Sequence, residues 1–120
     1  MDKLDEIFAL QAALDAYIGN VRDCGTYTKS DWIQKKSLAL IDEVTELLNE
    51  VNYKWWKNEK PVDENAVKEE LVDILHFFIS MCIDAGMTGD ELHRIYCQKN
   101  AENIARQQGL SSKTGYKATR

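Results

Sequence analysis

Proline occurs once and glycine six times in 120 residues, and both fall between stretches of regular apolar spacing. No stretch shows the alternation of a strand, and there is no internal repeat or linker. The three cysteines, Cys24, Cys82 and Cys97, are odd in number and lack CxxC spacing. That argues against a disulfide framework and a zinc knuckle, and a reducing cytoplasm is the expected setting. No run approaches the roughly 18 apolar residues of a membrane span. The opening MDKLDEIF lacks a signal-peptide core, so the chain is expected to stay where it is made. A basic excess is also missing: 15 Lys and Arg stand against 20 Asp and Glu. That argues against general nucleic-acid or membrane-surface binding. What is present is 44% hydrophobic and 29% charged residues, enough apolar matter for a folded core.

Leu4, Ile7, Gln11, Leu14, Ile18 and Val21 keep helical spacing, which predicts a first helix from Asp2 to about Val21. A loop at 23–28 follows. Trp32, Ile33, Leu40, Ile41, Val44, Leu47, Leu48, Val51 and Trp55 mark a long second helix, capped by Thr28 or Ser30. The segment 58–63, with Pro61, breaks it. Asp63 or Asn65 caps a third helix reaching about Ala85 and stopped by Gly86. Thr88 and Glu91 have capping-box spacing and open a fourth helix that ends near Gln108 and Gly109. The expected fold is an all-α bundle of four to five helices forming one domain over 1–120, with a flexible basic tail from about 110. Leu38, Phe78, Ile79, Met81 and Cys82 are more apolar surface than a monomer this small needs, so a homodimer or larger oligomer is expected.

Two acidic pairs stand out. Glu43 and Glu46 lie three apart on the second helix, and Glu70 and Asp73 three apart on the third. Each pair puts two carboxylates on one helix face, a repulsive arrangement. Antiparallel neighbours can bring the pairs together into an oxygen-only cage suited to Mg²⁺, with Mn²⁺ as the other candidate. Solvated surface charge is the competing explanation. The apolar residues around both pairs favour the metal, because carboxylates beside a core need a cation. A di-iron site fits less well, since only Asp73–His76 approaches the required Glu-x-x-His pattern.

Other polar residues interrupt apolar rows. Gln11 is either a core glutamine bonded to backbone or a reader of a pyrimidine edge. His76 stands one turn beyond Asp73 and is either a core histidine or a ligand contact. The block Tyr53-Lys54-Trp55-Trp56-Lys57 suits base stacking and phosphate contact, or else a core tryptophan with snorkelling lysines. Tyr96, Lys99, Asn103 and Arg106 form a polar row without an acid, either a solvated face or an anion site.

The order ExxE, 23 residues, ExxD resembles the signature of the MazG-like all-α nucleoside triphosphate pyrophosphohydrolases. Within that superfamily, Lys54–Lys57, the segment 70–80 and the Lys99…Asn103…Arg106 row resemble the dimeric-type dUTPases. The resemblance implies hydrolysis of dUTP, and also dUDP, to dUMP. It implies two or three Mg²⁺ ions on Glu43, Glu46, Glu70 and Asp73, with Glu43 or Glu46 as catalytic base. It places Gln11, Trp55 and His76 in a uracil pocket, Phe77 against the sugar, and Lys57, Lys99, Asn103 and Arg106 on the phosphates. The extra lid helices of longer members have no counterpart in 120 residues. The Gly115-Tyr116-Lys117 segment is expected to fold over the phosphates. Two other readings are carried forward: a MazG-like enzyme for another nucleotide, such as dCTP or a modified one, and a non-catalytic helical interaction protein.

Overall fold

The computed structural model describes residues 2–116. They form four helices, α1 (Lys3–Val21), α2 (Lys29–Glu50), α3 (Glu64–Asp84) and α4 (Gly89–Gln107), with no strand among the described residues. The fold is all-α. None of these helices alone is long and apolar enough to cross a membrane. The chain divides into two compact units, the first ending at Met87 and the second beginning at Thr88.

Each helix starts where a side chain can replace the missing backbone acceptors. Asp2 accepts the N–H of Asp5 at 2.8 Å. Thr28 and Asp31 form a reciprocal capping box, Thr28 Oγ1 accepting from Asp31 N and Asp31 accepting from Thr28 N, both at 3.1 Å. Asp63 accepts from Asn65 and Ala66, and Thr88 from Glu91. Of the alternatives left by the sequence, Thr28 and Asp63 are the caps.

The helix ends are equally local. After α3, Gly86 has φ +81° and donates to Ile83 O, while Met87 donates to Cys82 O. After α4, Gly109 (φ +74°) and Leu110 repeat the pattern with Arg106 and Ala105. This double bond closes a helix when one residue can turn left-handed, which glycine does without a Cβ clash.

α2 ends earlier than its apolar spacing predicts. Asn52 has φ +58°, and its side-chain amide donates to Lys60 O at 2.8 Å and accepts from Lys60 N at 3.0 Å. That pair of bonds stops the helix at Glu50 and ties the loop 53–60 back on itself. Trp55 therefore belongs to the loop and not to the helix.

In the first unit α3 packs against both α1 and α2. The core is small: Phe8, Ile79 and Cys82 are the buried apolar residues among those described. Burial holds the Cys82 thiol above its ordinary pKa, which leaves it protonated and inert. The buried face of α1 carries Phe8 and Gln11, whereas Ile7, Leu14 and Ile18 from the predicted stripe stay exposed. Apolar side chains also lie exposed along α2 (Leu38, Ile41) and α3 (Leu71, Leu75, Phe78).

Candidate active site

α2 and α3 bring the first acidic pair to the second. Carboxylate oxygens of Glu43, Glu46 and Glu70 lie within 4.8 Å of one another. Oε2 of Glu43 and Oε2 of Glu70 are buried without a hydrogen-bond partner. Asp73 is half-buried and stands outside that close trio, but its charge acts on both Glu43 and Glu70. Burial first, then repulsion from Glu46, Asp73 and Glu70, raises the Glu43 pKa from 4.5 to about 7. Burial and the charges of Glu46 and Asp73 raise Glu70 in the same direction. Buried carboxylate oxygens without donors are costly. An all-oxygen set with two orphaned atoms is the donor chemistry of a hard divalent cation, so these residues fit Mg²⁺ or Mn²⁺.

A cavity of about 610 Å³ opens in the same unit. Gln11, Leu14, Asp15 and Ile18 of α1, Trp32, Lys36 and Ala39 of α2, His76, Phe77, Ser80 and Asp84 of α3, and Cys24 of the first loop are among its lining residues. This size suits a small organic ligand. Its polar groups form one network. Gln11, only 6% exposed, donates from Nε2 to Asp15 Oδ1 at 2.9 Å. Gln11 Oε1 lies 2.7 Å from His76 Nδ1. Ser80, buried, donates to Asp15 Oδ2 at 2.8 Å. Lys36 sits 2.6 Å from Asp84 and 4.0 Å from Asp15, with its ammonium 5.2 Å from the Trp32 ring centre.

Of the residues expected around a base, Gln11, His76 and Phe77 line this cavity. Trp55 does not. It is 85% exposed, with its ring edge-on to Trp56 at 4.7 Å, beyond the Asn52 turn that ends α2. The tryptophan at the cavity is Trp32. Lys57 lies with Lys54, Lys60, Asn49 and Asn52 around a separate polar cavity of about 320 Å³.

In the second unit Lys99 and Asn103 are exposed on α4, and Arg106 lies one turn on. Arg106 donates to Glu102 at 3.1 Å and packs its guanidinium 5.6 Å from the Tyr116 ring centre. Glu102, an acid beside the row, also accepts from Ser111 Oγ. Through Tyr116 the tail thus returns to the last turns of α4. Lys117 lies outside the described residues.

Sequence reasoning missed Asp15 and Trp32. Asp15 gave no signal, because its partner Ser80 is 65 residues away. Trp32 was legible only as one more apolar position of the second helix.

The family model for dUTPase matches residues 3–88. A dCTP pyrophosphatase of Enterobacteria phage LZ5 is 35% identical over 74 residues, covering 62% of this chain and 43% of that protein. The dCTP pyrophosphatase of Enterobacteria phage T4 is 31% identical over 100 residues, 63% of this chain and 58% of that protein. A DNA replication protein of phage T4 is 30% identical over 93 residues, 58% of this chain and 24% of its own length. The chain therefore spans about half the length of the two pyrophosphatases it matches. No solved structure matches it significantly. The family match runs from the first residue of α1 to the cap of α4 and includes both acidic pairs and every residue lining the larger cavity, and on this ground the chain belongs to the dUTPase family.

Proposed function

We propose that this chain is a metal-dependent pyrophosphohydrolase of pyrimidine deoxynucleoside triphosphates, with dUTP as first substrate, dUDP also accepted, and dCTP as the alternative. The observation that supports it best is the trio Glu43, Glu46 and Glu70 with its two orphaned buried oxygens. Those three residues, with Asp73 beside them, would hold Mg²⁺. A bound divalent cation supplies charge neutralisation for phosphate oxygens and lowers the pKa of a bound water.

The chain's own residues do the rest. Glu43 or its neighbour Glu46 takes the proton released when water adds across the phosphoanhydride. The products are the monophosphate and pyrophosphate from a triphosphate, or the monophosphate and phosphate from dUDP. Gln11 and His76 face the base edge, Trp32 supplies the aromatic wall assigned to Trp55 on resemblance, and Phe77 packs against the sugar. Lys57 is a proposed phosphate contact of the first unit, and the row Lys99, Asn103 and Arg106 is a proposed anion site of the second. The names of the two phage relatives favour the dCTP alternative, while the matched family favours dUTP.

The test is product analysis for dUTP, dCTP, dTTP and UTP at equal concentration, with Mg²⁺ and with EDTA. Magnesium-dependent conversion of dUTP to dUMP is the expected result. Turnover of dCTP instead would keep the metal site and change the base. No turnover of any nucleotide by folded protein would sink the enzymatic reading and favour a non-catalytic interaction protein.

We further propose that the exposed apolar faces of α2 and α3 are covered by a second copy of the chain. Leu38 is 62% exposed and Ile41 59%, and Leu71, Leu75 and Phe78 recur on one face of α3. A patch of this kind on so small a unit is unstable in water unless partnered. Light scattering should give at least twice the chain mass. Replacing Phe78 by Glu should shift the protein toward monomer. A wild-type monomer at micromolar concentration would refute the dimer.

A further inference from the structure

Asp15 does more than satisfy buried neighbours. Its carboxylate accepts from Ser80 Oγ–H at 2.8 Å through Oδ2 and stands 4.0 Å from the Lys36 ammonium, so Oδ1 is left to accept from Gln11. The side chain of Gln11 must then turn its NH₂ group, and not its carbonyl, toward Asp15 Oδ1 at 2.9 Å. With Nε2 committed there, Oε1 faces His76 Nδ1 at 2.7 Å. A carbonyl oxygen cannot donate, so Nδ1 must carry hydrogen. Whenever the His76 ring is neutral it is thereby held as the Nδ1–H tautomer, with Nε2 as an acceptor. One carboxylate fixes the polarity of two groups in a row, Gln11 and His76. Both line the cavity, and Gln11 keeps one amide hydrogen not used by Asp15.

Uracil and cytosine differ in polarity and hardly in shape. Uracil presents a donor at N3 and an acceptor at O4; cytosine presents an acceptor at N3 and a donor at N4. A glutamine free to turn its amide over, next to an imidazole free to change tautomer, could match either base. A pair held in one polarity matches one base and leaves buried groups unpaired against the other. We infer that Asp15 is the positioning residue for pyrimidine selectivity: it never touches the base, but it fixes the donor–acceptor sense of Gln11 and His76. The inference rests on the proposal that this cavity takes a pyrimidine nucleotide.

The test uses dUMP and dCMP, whose binding requires neither hydrolysis nor metal. Calorimetry on the full chain should show the wild type preferring dUMP by about tenfold or more, the cost of one unpaired buried group. In Asp15→Asn, which keeps the size but lets the Gln11 amide turn, the ratio should fall to about threefold or less. Asp15→Glu, which keeps an acceptor, should retain part of the preference. A ratio unchanged in Asp15→Asn overturns the inference, as does equal or absent binding by the wild type.

A second measurement needs no variant. Nitrogen-15 shifts of the His76 ring, recorded on the neutral imidazole, should report hydrogen on Nδ1 and a bare Nε2. The opposite tautomer overturns the inference. The catalytic reading is scored separately. Selective monophosphate binding without magnesium-dependent hydrolysis would sink that reading and leave Asp15 its role. A wild-type preference for dCMP, lost in Asp15→Asn, would support the inference and move the substrate to dCTP.

Discussion

Glu46→Gln should lower kcat for the preferred nucleotide by about 10²–10³-fold, the usual loss when one member of a preorganised charged site is removed. It should leave the metal-free fold as stable as the wild type or more so. The two signs together make the prediction discriminating. Glu46 is the exposed member of the trio, and its charge raises the pKa of both Glu43 and Glu70. Turning it into an amide relieves two repulsions and loses no ion pair, because the salt bridges among the described residues involve other acids. A carboxylate kept for folding would show the reverse, lost stability and retained chemistry. Steady-state kinetics with Mg²⁺ and thermal melts in EDTA read the two quantities independently. Full activity in Glu46→Gln would remove the trio from the reaction.

How much of this was readable in the chain differs by element. Helix starts and the ends of α3 and α4 were legible because their determinants are local: a Thr or Asp three residues before a free N–H, a glycine where the backbone turns left-handed. The end of α2 was not. Val51 and Trp55 continue the helical spacing, and the stop depends on the Asn52 amide meeting the backbone of Lys60 eight residues later. The inner face of α1 was misread for a different reason. Ile7, Leu14 and Ile18 of the predicted row stay exposed, Leu14 and Ile18 at the cavity wall, whereas the buried residues of α1 are Gln11 of that row and Phe8 outside it. A chain with so much exposed apolar surface has more than one apolar row per helix, and periodicity does not say which row faces its own core. The acidic trio was legible because like charges at i, i+3 beside apolar residues demand an explanation. Asp15 was not, because a single aspartate on a helix demands none.

The same trio gives the fold an unusual response to pH. The Glu43 carboxyl sits at about 7 in the folded chain, against 4.5 without the fold. Between those values the folded state binds the extra proton, so its stability falls as pH rises. In EDTA the contribution of Glu43 is fully present below about 4.5 and is lost as pH passes through about 7. Glu70, shifted in the same direction, steepens the fall. The melting temperature of the metal-free protein should therefore drop between pH 5 and pH 8, and the drop should be smaller in Glu43→Gln, which has no proton to lose. Subtracting the variant's profile from the wild type's isolates this cluster from the other carboxylates. Divalent cation reverses the sign. It binds the ionised oxygens of the native state alone, so at 100 times its Kd it adds about 2.7 kcal/mol, or a rise on the order of 10 °C. Binding competes with protons, so that rise should be large at pH 8 and small at pH 5. A magnesium-induced shift independent of pH, or a metal-free profile the same in wild type and Glu43→Gln, would mean that the three carboxylates neither share a proton nor hold an ion.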